Sequence, residues 1–222
     1  MNRSEEKNRV AAIIPFYNEC ETIGIVINNT LQYVDMVIAV NDGSTDSFEE
    51  LIPKSGKVKL ITLNKNYGKG YALRAGFQKA LEEEFTHVVT LDADLQHNPD
   101  EIKKLFSSID KYDLVIGNRL NNLTSMPLSR KISNKLTSFF LTIKTGQQIL
   151  DSQCGFRAYR TEVLKNIQTK ENGYEAETEM ILLAAKKGYK IGFAGVSTIY
   201  AAEKSKMTPV KTTIGFIKLL LN

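Results

Sequence analysis

The 222-residue chain has few of the residues that would staple or metallate a small fold. Its two cysteines, Cys20 and Cys154, lie far apart and fit no metal-ligand spacing, which excludes a disulfide framework and suits the free thiols of a reducing compartment. The N-terminal MNRSEEKNRV is polar and lacks the apolar h-region of a signal peptide, and no uninterrupted apolar run reaches the length of a membrane span. The expectation is a cytoplasmic chain. Internal repeats, low-complexity tracts and linkers are missing as well. Strong charge of one sign is also missing: a net +4 spread along the chain allows contact with phosphates or an anionic membrane surface, requires neither, and does not suggest duplex nucleic acid.

With 42% hydrophobic residues the chain can bury a full core, and its length suits one domain over 1–222. Apolar runs alternate with helical patterns: strands at Val10–Ile14, Met36–Val40 and Val58–Leu63, helices at Cys20–Leu31 and Lys69–Glu84. Val88–Leu91 and Leu114–Gly117 extend the rhythm around a helix from Pro99 to Ile109, capped by Asn98 or its neighbour. The implied architecture is α/β, with a mostly parallel central sheet flanked by helices. The second half is less regular; 120–129 is polar enough for a mobile loop. Residues 213–222 are apolar but interrupted by Lys218, and suit either an amphipathic helix or a truncated anchor.

In open α/β sheets ligands gather at the carboxyl ends of the strands, and four unusual loops fall there. PFYNE (15–19) follows the first strand, where a dinucleotide-binding fold would carry G-x-G-x-x-G; that fingerprint is absent. NDGSTD (41–46) follows the second, and also suits a plain turn with Ser44 or Asp46 capping a helix. NKNYGKGYALRAG (64–76) offers Gly68 and Gly70, which let backbone amides approach a ligand, or form a simple loop into a helix. DADLQH (92–97) sets Asp92 and Asp94 one residue apart after a buried run. If the chain stays extended they share a face and repel, which a divalent cation relieves while keeping positions open for nucleotide phosphates. The alternative is a pair of surface aspartates capping the next helix.

Taken in order, PFYNE, NDGSTD, NYGKGYALRAGF, DADLQHNPDEI, GNR, DSQCGFRAYR and EMILLAAKKGYKI resemble family 2 glycosyltransferases of the type A fold, across nearly the whole chain. DADLQH and the GNR, SRKIS, GFRAYR series are most similar to dolichol-phosphate mannose synthases and polyprenyl-phosphate sugar synthases. The resemblance implies a single-domain, Rossmann-like, nucleotide-sugar-binding fold. About residues 10–118 would hold a nucleoside-diphosphate sugar (GDP- or UDP-hexose) and metal; about 119–210 would hold a polyprenyl (dolichyl or undecaprenyl) phosphate. Pro15, Tyr17, Glu19, Asp42, Gly68 and Asp92 would bind the nucleotide-sugar, and Asp92, Asp94 and Gln96 would hold Mg²⁺ or Mn²⁺. Arg119, Arg130, Ser133, Arg157, Lys204 and Lys206 would bind the acceptor, with Asp94, Arg119 and Arg130 central to catalysis. Asn41 replaces the first aspartate of the family's common DDGS, removing a charge beside the base.

The implied reaction is inverting displacement at the anomeric carbon. A phosphate acceptor, largely ionised near neutrality, needs cations rather than a base. Cations are present at Arg119, Arg130, Lys131, Lys135 and Arg157. Ile132, Leu136, Phe139, Phe140 and Ile143 trace an apolar stripe expected in the core, with an exposed end able to meet lipid. Glu175, Glu177 and Glu179 open a helix whose dipole favours carboxylates, and a base among them would suit a saccharide-hydroxyl acceptor instead. His87 is read as buried in a strand and His97 as lying in a loop that can touch the diphosphate. A non-catalytic nucleotide-sugar binder is the third reading. Contact with the membrane would be peripheral, at its inner face; the sequence does not set an oligomeric state.

Overall fold

The computed structural model describes residues 8–120 and 128–198; of residues 128–130 only the backbone is described. Seven strands form one sheet: β1 (Val10–Phe16), β2 (Met36–Asn41), β3 (Val58–Thr62), β4 (His87–Thr90), β5 (Leu114–Asn118), β6 (Arg157–Arg160) and β7 (Ile191–Gly195), in the order β3-β2-β1-β4-β6-β5-β7. All run parallel except β6, which enters antiparallel between β4 and β5. One sheet therefore spans both expected halves.

The helices are α1 (Cys20–Thr30), α2 (Lys69–Glu82), α3 (Ile102–Phe106), α4 (Leu128–Thr145), α5 (Thr161–Asn166) and α6 (Ala176–Lys186). Central strands are buried on both faces, so β1, β4 and β5 read as continuous apolar runs. Ala72, Leu73, Gly76, Phe77 and Ala80 form the buried face of α2, and a Cβ on Gly76 would collide with Ile13 of β1. The expected helix from Pro99 starts as a 3-10 turn (Pro99–Glu101) before α3, and the Asn98 side chain accepts the Asp100 N–H at 3.1 Å.

The apolar stripe of α4 corrects one expectation. Ile132, Leu136, Phe139, Phe140 and Ile143 are 45 to 66% exposed, while Asn134, Thr137, Ser138 and Leu141 are buried. The buried face is selected by hydrogen bonding: Ser138 Oγ donates to Ser152 Oγ at 3.1 Å, and Asn134 Oδ1 accepts the Ser152 N–H at 3.2 Å. Among the described residues no helix is long and apolar enough to cross a membrane.

Candidate active site

The parallel strands β1, β2, β4 and β5 present their carboxyl ends along one edge. The loops after β1 and β2 are tied together by side chains. Asn18, in the left-handed region at φ 52, donates its N–H to Ser44 Oγ (3.0 Å) and accepts the Thr45 N–H on Oδ1 (2.8 Å). Asp46 Oδ2 accepts the Cys20 N–H at 2.8 Å, capping α1 from the neighbouring loop. Asn41 is buried and accepts the Ser44 N–H at 2.8 Å, a role that a neutral amide fills without burying charge. In the loop after β1, Tyr17 is 37% exposed and Glu19 half-buried, whereas Pro15 is enclosed within β1.

Asp42 and Gly68, both expected at the nucleotide, meet each other. The Asp42 carboxylate accepts the N–H groups of Tyr67 (2.8 Å) and Gly68 (2.9 Å). Burial raises its pKa and these two amides oppose the rise. Gly68 needs its φ of 103, and a Cβ there would meet the Asn172 carbonyl oxygen. Gly70 donates its N–H to that same carbonyl at 2.7 Å. The glycines serve the close approach of the 171–173 chain, and Asp42 holds the loop that makes it.

β4 ends at Thr90, so the aspartate pair lies on a bend rather than on an extended strand, with Leu95 turning the chain at φ 60. Asp92 Oδ1 pairs with Lys69 Nζ at 2.5 Å, and Glu177 Oε2 meets the same ammonium at 3.2 Å. Burial alone would raise Asp92, but Lys69 holds it down to about 2. Lys69 stays above its ordinary value although burial opposes the charge, because Asp92 and Glu177 flank it. Gly155 leaves room for this cluster: a Cβ would lie 2.8 Å from Asp92 Oδ2 and 2.9 Å from Lys69 Nζ. The second Glu177 oxygen, Oε1, is buried without a hydrogen-bond partner among the described residues.

Asp94 behaves oppositely. Burial, then the charges of Asp92 and Glu19, push its carboxyl up to about 6, against the Gln96 N–H that its Oδ1 accepts at 3.1 Å. His97 is buried, pushed down to about 4 by that burial, stacked on Phe156 and accepting the Asp92 N–H at 3.3 Å; it fixes the bend as a neutral ring. At Asp94, burial and the neighbouring negative charge therefore outweigh the Gln96 N–H and the more distant Lys69. Among the described residues no group of three or more His, Cys, Asp or Glu side chains converges. The donor set fits Mg²⁺ or Mn²⁺ only as an ion taking one or two protein oxygens and completing its shell with diphosphate and water.

On the other side of the edge, Arg119 follows β5 and forks onto Asp151: Nε to Oδ2 and Nη2 to Oδ1, both 2.9 Å, with Asn134 Nδ2 also donating to Oδ1 at 2.7 Å. Asp151 is fully buried and held below the usual carboxylate range: burial pushes up, Arg119 outweighs it. Arg157, expected on the acceptor phosphate, is corrected by burial. It is fully enclosed in β6, and its guanidinium donates to the carbonyls of Cys154, Glu177 and Ser152 at 2.6 to 2.9 Å. Glu179 is likewise committed, its Oε2 accepting the N–H groups of Lys170 and Glu171. Arg130 lies in the first turn of α4, Ser133 is exposed one turn on, and Lys204 and Lys206 fall outside the described residues.

Sequence reasoning missed Lys69 and Asp151. Lys69 opens α2 as an ordinary helix-start lysine, and only the meeting of α2, β4 and α6 buries its ammonium. Asp151 sits in DSQCG, where a lone aspartate before a glycine reads as a turn.

Comparison with known proteins agrees with this geometry. The family model for glycosyl transferase family 2 matches residues 11–168. A UDP-N-acetylglucosamine–dolichyl-phosphate N-acetylglucosaminyltransferase of Methanococcus voltae is 34% identical, over 92% of this chain and 90% of that protein. An undecaprenyl-phosphate 4-deoxy-4-formamido-L-arabinose transferase of Proteus mirabilis is 33% identical over 74% of this chain, which spans only 52% of that longer relative. Among solved structures, glucosyl-3-phosphoglycerate synthase from Mycobacterium tuberculosis, in complex with Mn²⁺, uridine diphosphate and glucosyl-3-phosphoglycerate, superposes with a TM-score of 0.71 at 19% identity, covering 98% of this chain and 78% of that one. That likeness shows the type A fold. With the family model covering most of its length, the chain belongs to glycosyl transferase family 2 and is a glycosyltransferase.

Proposed function

We propose that this enzyme transfers a hexosyl group, with inversion, from a UDP- or GDP-sugar to the phosphate of a polyprenyl phosphate. It would work as a peripheral protein at the cytoplasmic face of a membrane. The observation that carries the reading is the division of charge along the edge. Carboxylates line the donor side, and an arginine fixed by a buried aspartate lines the other, where Glu179 is already committed to backbone amides. An ionised phosphate monoester, with its second pKa about 6, matches that arginine and needs no base. The names of the Methanococcus and Proteus relatives support the same acceptor class.

In this reading Tyr17 walls the nucleobase, and Asp94, with Gln96 and Asp92 beside it, holds the divalent cation and diphosphate. Mg²⁺ or Mn²⁺, when bound, supplies electrostatic stabilisation to the leaving diphosphate. Lys69 keeps Asp92 ionised. Arg119, braced by Asp151, aims the acceptor phosphate, assisted by Arg130 and Ser133 on α4 and by Lys204 and Lys206. A phosphate oxygen then attacks the anomeric carbon opposite the departing group; the carbon–oxygen bond breaks and its electron pair leaves on the nucleoside diphosphate. Attack from that face inverts the configuration.

A second reading, transfer to a saccharide hydroxyl, draws on one observation: the unpartnered Oε1 of Glu177. A short water-soluble prenyl phosphate and its parent alcohol separate the two, each tested with UDP- and GDP-hexoses plus Mg²⁺ or Mn²⁺. Transfer to the phosphate alone is expected. Equal use of the alcohol, abolished by Glu177→Gln, contradicts the phosphate acceptor.

A further inference from the structure

Three charged side chains from separate elements form one cluster: Lys69 at the start of α2, Asp92 after β4 and Glu177 in the first turn of α6. The sharing is uneven. Lys69 Nζ lies 2.5 Å from Asp92 Oδ1 and 3.2 Å from Glu177 Oε2, so the ammonium belongs mainly to Asp92. Glu177 is 6% exposed, and its other oxygen, Oε1, is buried with no hydrogen-bond partner among the described residues. A buried carboxylate oxygen left open is costly, and native folds keep few such groups without a use.

The same cluster has room to rearrange. A Cβ on Gly155 would lie 2.8 Å from Asp92 Oδ2, 2.9 Å from Lys69 Nζ and 3.1 Å from Glu177 Oε1. All three groups therefore border the one spot where Gly155 has no side chain. The backbone of Lys69 is held on both sides, by the Gly68 N–H on Asp42 and the Gly70 N–H on the Asn172 carbonyl, whereas its four-carbon stem turns by ordinary torsions. Oε1 belongs to the carboxylate that Nζ already meets through Oε2, so such a turn covers the distance. A divalent cation held by Asp94 with Asp92 beside it would repel an ammonium on the same aspartate.

We propose that Lys69 stands in for a cation at Asp92 in the metal-free protein, and that its ammonium passes to Glu177 Oε1 when Mg²⁺ or Mn²⁺ enters. Glu177 is then a positioning residue that acts through Lys69: it takes up the displaced ammonium and frees Asp92. The exchange sets metal affinity, because Lys69 opposes the cation until a nucleoside diphosphate adds its own oxygen ligands. This rests on the assignment of Asp92 and Asp94 to the cation in the reading above, and not on the acceptor.

The test is Mn²⁺ binding to the full chain, read from the free-ion signal in electron paramagnetic resonance, with and without UDP or GDP. Lys69→Gln should bind Mn²⁺ about tenfold more tightly than wild type without nucleotide, since no ammonium competes. Glu177→Gln should bind it about tenfold more weakly, since the ammonium stays on Asp92, yet should cost no more than about twofold when added to Lys69→Gln. Equal losses in the two backgrounds would mean that Glu177 acts by its own charge or as a ligand, and would overturn the proposal. Mn²⁺ binding indifferent to Lys69→Gln overturns it too, while leaving the cation assignment standing. Absence of Mn²⁺ binding in wild type and Lys69→Gln alike, with nucleotide present, removes that assignment and the exchange with it. If Lys69→Gln does not fold, a crystal structure of the wild type with Mn²⁺ and nucleoside diphosphate decides: Lys69 Nζ should bond Glu177 Oε1 and have left Asp92, and an ammonium still on Asp92 refutes the exchange.

Discussion

Asp94→Asn should abolish transfer and, at the same time, stabilise the metal-free protein. Asp94 titrates at about 6 in the fold against an ordinary 3.8, because burial and the neighbouring charge of Asp92 disfavour its ionised form. A carboxyl whose pKa is raised on folding contributes stability below its unfolded value and loses it as pH rises through the folded one. The wild type should therefore lose stability between about pH 4 and pH 6 and carry that deficit at neutrality. A tenfold change in proton affinity corresponds to about 1.4 kcal/mol, so the full deficit is about 3 kcal/mol, reduced toward about 1 kcal/mol by the solvent that reaches this half-buried group. Asparagine keeps an oxygen for the Gln96 N–H and removes the charge. In chelator-treated protein the variant should melt a few degrees above wild type at pH 7.5, by roughly 2 to 4 °C per kcal/mol, and match it near pH 3.5. Mn²⁺ with nucleoside diphosphate should raise the wild-type melting temperature and leave the variant's unmoved. A variant less stable than wild type at pH 7.5, or one that gains as much at pH 3.5, refutes the electrostatic argument.

Lys69→Met should cost about 3 kcal/mol or more in denaturant unfolding, because Asp92 and Glu177 would be left facing each other without their shared cation; a cost below about 1 kcal/mol would mean that solvent compensates the pair. Asp151→Asn should be worse than a neutral replacement suggests. Every hydrogen bond to that carboxylate is accepted, from Arg119 N, Nε and Nη2, Asn134 Nδ2 and Gln153 N, and an amide would turn a donor toward donors. Its signature should be a raised KM for acceptor phosphate with nucleotide-sugar affinity nearly unchanged, read by steady-state kinetics and calorimetry. Arg119→Ala should lower kcat/KM about ten- to hundredfold, whereas Glu179→Gln should disturb stability more than acceptor kinetics.

The parallel half of the fold was legible because strands buried on both faces must be apolar throughout, and the loops at their carboxyl ends must then carry the chemistry. Tyr17, Asp92, Asp94 and Arg119 do line one edge. The exceptions share a cause: a polar side chain can be recruited by backbone groups from distant segments. Arg157 reads like a phosphate-binding arginine, yet it is enclosed because β6 inserts antiparallel and brings three carbonyls around it. Asp42 and Gly68 have structural partners that spacing did not reveal: the 171–173 chain at the glycine, and the Tyr67 and Gly68 amides at the aspartate. For α4, periodicity found two faces but could not tell which one turns inward, since a polar loop at Asp151 and Ser152 offers better partners than an apolar wall would.

The most direct test of the central claim is the linkage in the product formed from a nucleoside-diphosphate sugar and a polyprenyl phosphate, read by phosphorus and proton NMR. The account predicts a glycosyl phosphate in which the anomeric proton couples to the lipid's phosphorus, with configuration opposite to that of the donor. A sugar joined to a hydroxyl oxygen, or a glycosyl phosphate that retains the donor's configuration, would contradict it.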